Sequence, residues 1–161
     1  MALRRRKPGE CSVEQTRDLA LVRAMLADYN VASTAIEWPQ ACWIAAYLGD
    51  DPVGVVGLEP WLDSALIDCV VVIETMRGRG IGAMLVNAAR KAAHTRGARS
   101  LYAITPPDSD FVRRFGFSEI ALDKLFEALG AIPSIAAIRA GAVASPRAWF
   151  LDISRDGVIE R

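Results

Sequence analysis

Arg77-Gly-Arg-Gly-Ile-Gly82 is the segment whose residue types and spacing point most directly to chemistry. Alternate glycines leave the backbone free to aim successive N–H groups one way. A helix starting at that point adds unpaired N–H donors and a partial positive charge. Together they form a nest suited to a phosphate or pyrophosphate. Arg77 and Arg79 bring charge-assisted donors to the same place. The expected anion-binding residues are therefore Arg77, Gly78, Arg79, Gly80, Ile81 and Gly82. A plain strand-to-helix turn needs neither three alternate glycines nor two arginines.

Two other phosphate-binding patterns fit less well. Gly78-x-Gly80-x-x-Ala83 satisfies the dinucleotide fingerprint, but a ribose-binding acid should close the next strand about 20 residues on. That strand ends Ala103-Ile104-Thr105, with no acid. No Gly-Lys-[Ser/Thr] follows, so a P-loop is excluded.

The elements around the glycines must position them. Ser12-x-x-Gln15 is a capping-box pattern and predicts a helix to about Tyr29, with Leu19, Val22 and Leu26 on one face. Residues 41–48, 53–58 and 65–73 read as strands joined by short turns, an antiparallel meander. Behind the glycines, Ile81, Met84, Leu85, Ala88, Ala89 and Ala92 follow helical spacing, and Gly97 stops the helix. A strand over 100–105, a short helix over 109–114 and a strand over 117–121 come next. Short helices over 123–129 and 133–140 and a strand over 148–153 complete the chain. A strand–helix–strand crossover makes its two strands parallel. The fold class is α/β: a meander joined to a parallel pair, with helices on both faces.

Residues 1–10 read as a flexible basic tail and 11–161 as one domain, since 161 residues hardly allow two. Hydrophobic residues make up 52%, which gives ample apolar surface for a core. The 19 Lys+Arg balance 19 Asp+Glu, so no long-range field for nucleic acid or an anionic membrane is expected. No run approaches the roughly 18 apolar residues of a membrane helix, and no apolar stretch follows the basic start to make a secretory signal. Three scattered cysteines, Cys11, Cys42 and Cys69, suit neither a disulfide framework nor a zinc site. A reduced, cytoplasmic setting is expected, with no metal.

The glycine segment resembles the acetyl-CoA motif [Arg/Gln]-x-x-Gly-x-[Gly/Ala] of the GCN5-related N-acetyltransferases (GNAT family), matched by Arg77, Gly80 and Gly82. Phe111-Val-Arg-Arg-Phe-Gly-Phe117 resembles the family's aromatic-x-x-x-Leu-Gly-Phe segment. The order of elements agrees over roughly residues 41–120. Val53-Gly-Val-Val-Gly-Leu-Glu-Pro60, the strand ending at Thr105 and the segment from Ile132 to Arg139 resemble the branch of arsenic-resistance-associated and small amino-acid N-acetyltransferases.

The resemblance implies acetyl transfer from acetyl-CoA to a primary amine, with a small molecule or amino acid as acceptor. It implies a pyrophosphate on Arg77 to Gly82 and a pantetheine arm along Val70, Val71 and Val72. Two residues usual in the family are missing. The position aligned with its strand glutamate is Leu66, and the position aligned with its tyrosine acid is Val112. An attacking amine still needs a base within reach, directly or through water. Glu59 and Asp68 are the candidate catalytic residues. Each also has a plainer reading, Glu59 as turn chemistry before Pro60 and Asp68 as a solvated or paired carboxylate. Cys69 reads as strand packing rather than a nucleophile. The alternatives are a catalytically silent acyl-CoA-binding domain and a protein N-acetyltransferase. A homodimer accords with the family and with the apolar C-terminal region; the sequence does not establish one.

Overall fold

The computed structural model describes residues 6–29, 31, 33–130 and 132–157. Among the described residues, seven strands form one mixed sheet: β1 (Cys11–Thr16), β2 (Cys42–Leu48), β3 (Asp51–Trp61), β4 (Ser64–Val72), β5 (Ser100–Thr105), β6 (Ser118–Ile120) and β7 (Arg147–Asp152). Their order is β1-β2-β3-β4-β5-β7-β6. Only β4 and β5 pair in parallel; every other neighbour is antiparallel. The α-helices among the described residues are α1 (Leu19–Asp28), α2 (Ile81–Thr95), α3 (Leu122–Leu129) and α4 (Pro133–Arg139). The expected α/β class, meander and parallel pair are all present.

Alternation along β4 sorts the core into layers. Ala65 and Ile67 face α2, where Ile81, Leu85, Val86 and Ala89 are buried. Leu66 faces the other way, into a cluster with Leu125 and Leu129 of α3 and Ile135 of α4. On that same side α1 presents Val22, Met25 and Leu26 to Trp43, Ala45 and Val55. The sheet is thus covered on both faces. Leu66 is fully buried, so Leu66→Ala is expected to cost about 2–5 kcal/mol of stability, read as a lower urea midpoint with unchanged slope.

The start of the chain corrects the sequence reading. Ser12 and Gln15 do not form a capping box; they lie in β1, which pairs with β2 at six positions from Cys11↔Leu48 to Thr16↔Trp43. Six residues of ladder outweigh one local capping pattern. The helix begins later, with Asp18 as its N-cap accepting from the Leu21 N–H at 3.1 Å. Leu19 is 38% exposed and does not share the buried face. Part of the expected tail lies outside the described residues. Arg6, however, is not loose: it pairs with Glu14 and stacks on the Tyr47 ring at 3.4 Å. The short helix expected over 109–114 is a 3-10 turn at Phe111–Phe115.

The C-terminal strand β7 lies between β5 and β6. Trp149 on β7 is fully buried, and its indole N–H donates to Thr105 Oγ1 at 2.9 Å. Its polar edge is thereby satisfied inside the core. No described helix is long and apolar enough to cross a membrane.

Candidate functional site

Parallel pairing of β4 with β5 runs from Ser64↔Ser100 to Ile67↔Ala103 and then stops. β4 continues to Val72 and β5 to Thr105, so the two strands part beyond Ile67. A bulge marks the point of parting. Val56 pairs with Val70 and Gly57 with Asp68, which leaves Cys69 as the extra residue, at φ +25°. A cavity of about 900 Å³ opens there. It runs from the glycine turn along Val70, Val71 and Val72 to Asp68.

At one end lies the start of α2. Gly78 and Gly80 have φ of +78° and +80°, the left-handed region, and a Cβ at either would stand in open space. Gly80 is the N-cap and offers no capping side chain. The first-turn N–H groups of Ile81, Gly82 and Ala83 therefore have no intrahelical acceptor. Gly82 is closely packed: a Cβ there would stand 3.1 Å from the Phe111 ring. Arg77 donates from Nε to the Val72 carbonyl at 3.1 Å and lies over the Tyr29 ring at 5.2 Å. Arg79 is exposed. The glycine turn expected from the sequence lines one end of the cavity, through Arg77, Gly78, Gly80, Ile81 and Gly82. The strand run Val70–Val72 borders the same space. These residues fit the pyrophosphate and arm of an acyl-CoA.

At the other end the two candidate acids come together, by different routes. Asp68 lines the cavity and is half-buried. The Ser33 hydroxyl donates to Asp68 Oδ2 at 2.6 Å. Burial pushes the Asp68 carboxyl up from its ordinary range; hydrogen bonds from Ser33, Cys69 and Ser134 partly oppose this. Glu59 is not turn chemistry: it lies within β3, 0% exposed, one layer behind the cavity wall. Its Oε1 accepts the Ser134 N–H at 3.0 Å, so a β3 side chain caps the start of α4. Its Oε2 has no partner. Burial and then the charge of Asp68 push the Glu59 carboxyl up to about 7, against the opposing Ser134 hydrogen bonds. Cys69 lines the same cavity. Burial and the neighbouring Asp68 push its thiol well above the ordinary range, so thiolate is disfavoured.

A raised carboxyl makes the fold pH-dependent. Between the ordinary glutamate pKa and about 7, the native state holds a proton that the unfolded chain has lost. Glu59 therefore stabilises fully below the ordinary pKa and loses that contribution as pH rises through about 7. The full swing is about 3 kcal/mol. Glu59→Gln keeps an oxygen for Ser134 and cannot ionise. It is expected to be more stable than the unmodified chain at pH 8.5 and to lose that advantage at pH 5, measured by urea unfolding.

Leu66 and Val112 are both buried and apolar, so neither aligned family position carries an acid or base. Sequence reading missed Ser33, Ser134 and Tyr29. They reach the site from a connector, from α4 and from the end of α1, and no local pattern marks them. Among the described residues, no cluster of His, Cys, Asp and Glu is placed to hold a metal ion.

The model of the Acetyltransferase (GNAT) family matches residues 10–117. No curated protein matches the sequence. Among solved structures, Rv2747 from Mycobacterium tuberculosis, in complex with CoA and NLQ, aligns with TM-score 0.70 at 21% identity, covering 88% of this chain and 98% of that one. N-acetylglutamate synthase from Neisseria gonorrhoeae, complexed with coenzyme A and N-acetyl-glutamate, aligns with TM-score 0.68 at 16% identity. That match covers 91% of this chain but only 36% of the synthase. The ribosomal-protein-S18-alanine N-acetyltransferase from Escherichia coli aligns with TM-score 0.67 at 12% identity, over 94% of this chain and 99% of the other. At these identities the likeness is one of fold.

Proposed function

The chain belongs to the GNAT acetyltransferase family, and on that premise we propose that it moves an acetyl group from acetyl-CoA to the primary amine of a small molecule or amino acid. One observation carries the reading. β4 parts from β5 after Ile67, and the resulting cavity joins the glycine nest to Asp68 without interruption.

When bound, the acyl thioester supplies the acetyl group that an amine attacks. The chain's own residues do the rest. Backbone N–H groups from Gly78 to Ala83, with Arg77 and Arg79, hold the diphosphate. The free edge of Val70–Val72 aligns the arm and so fixes the reacting ends together, an effect worth about 7–11 kcal/mol when alignment is good. Asp68 accepts the ammonium proton at its carboxylate, directly or through one water. Ser33 holds that carboxylate in place, and Glu59 acts from behind as a positioning residue through Ser134.

The absence of acids at Leu66 and Val112 favours one other reading, a silent acyl-CoA-binding domain. The free cysteines Cys11, Cys42 and Cys69 support a reducing, cytoplasmic setting. A homodimer belongs to the same reading and is testable by sedimentation.

The deciding experiment pairs ligand-induced thermal shift with thiol release. Saturation at 100 times Kd should stabilise by about 2.7 kcal/mol. A shift with CoA and acetyl-CoA, plus amine-dependent thiol release, supports the proposal. A shift without release from amines or peptide N-termini makes the chain a silent binder. Release with peptides alone makes it a protein acetyltransferase. A shift with NAD(P)H only overturns the family-based activity.

A further inference from the structure

Resting on the acetyl-transfer reading, we infer that the acceptor is an apolar primary amine without a carboxylate, so that α-amino acids are poor substrates. The argument comes from how charge is distributed along the one cavity. Among the described residues, Arg77 and Arg114 are the arginines that line it, and both lie toward the glycine end. Arg77 is tied to the Val72 carbonyl and the Tyr29 ring. Arg114 lies over the Phe111 ring at 4.7 Å, and Phe111 itself packs against Gly82 at the start of α2.

The acceptor end carries a different set of residues. Its polar groups include Asp68, Ser33 and Ser134, beside the apolar Val31, Ala137, Ile138 and Val143. Among the described residues lining this end, Asp68 is the one charge. The neighbouring Arg139 lies over the Phe126 ring at 4.3 Å, among the α3 side chains. One backbone donor at this end, the Ser134 N–H, is taken by Glu59.

An ammonium group fits this end: it meets Asp68 and leaves its carbon body against apolar walls. An amino acid would bring a third carboxyl group beside Asp68 and Glu59, with no cation among the described residues lining this end to receive it. Burying that charge unpaired is costly, and like charges repel. The apolar walls suit a hydrocarbon body.

The test uses matched pairs: 3-methylbutylamine against leucine, and 2-phenylethylamine against phenylalanine, with leucinamide as a neutral control of similar size. Two readouts are taken on the full chain: kcat/KM by thiol release from acetyl-CoA, and binding to the CoA-saturated protein by calorimetry. Each amine is expected to exceed its amino acid by roughly tenfold or more in both, with leucinamide tracking the amine. An amino acid equal to or better than its amine overturns the inference, as does failure of every amine to bind. Preferential amine binding with no thiol release from any acceptor overturns acetyl transfer and leaves the recognition inference standing. Leucinamide as poor as leucine would also overturn it, because bulk or polarity rather than charge would then decide.

Discussion

Asp68→Asn is expected to lower kcat by roughly a hundredfold to a thousandfold while leaving CoA-induced thermal stabilisation intact. The reasoning is local. Asn has the shape of Asp and still offers an oxygen to the Ser33 hydroxyl, which now bonds Asp68 at 2.6 Å. The cavity wall and bulge geometry should survive. What is lost is a carboxylate able to take the amine's proton. The glycine nest lies at the other end of the cavity and is untouched. Steady-state kinetics with a responsive amine, beside thermal shift with CoA, separates the two effects. Activity within threefold of the unmodified chain would remove Asp68 from the mechanism and leave water or the substrate to manage the proton.

Gly80→Val should abolish CoA-induced stabilisation, a loss of about 2.7 kcal/mol at a ligand concentration that saturates the parent. At φ +80° a β-branched residue is strained by roughly 1–3 kcal/mol. The easiest relief is to rotate the turn, which misdirects the N–H groups that make the nest. The space beside Gly80 is open in the free protein, so the substitution does not collide with the core. Arg77→Ala removes a charge without rotating the turn and should leave a smaller shift. Equal shifts for Gly80→Val and the parent would place the diphosphate elsewhere.

The parts of the site that were legible in the sequence are those written in consecutive residues. The glycine turn, the amphipathic α2 and the meander are local patterns, and the structure places them where the patterns put them. The acid site is built by long-range contacts instead. Ser33 reaches Asp68 across 35 positions, and Glu59 reaches Ser134 across 75. No spacing rule contains either contact. Glu59 beside Pro60 carries turn chemistry in its local sequence, yet the ladder with β4 holds it in a strand through Trp61. The Cys69 bulge has no signal at all, because a left-handed cysteine in an apolar run resembles any other strand residue. Ser12-x-x-Gln15 misled for the converse reason: its local pattern is genuine, and tertiary pairing with β2 overrides it.

The place of β7 in the sheet has a consequence for biosynthesis. β5 and β6 are both made before β7, yet each finds its antiparallel partner only in β7. During translation the emerging chain therefore carries two unfilled edges, and Thr105 waits for the indole of Trp149. Exposed edges recruit strands from other chains. The nascent protein should thus pass through an adhesive interval, closed when residues 147–152 clear the ribosome and slot between their two neighbours.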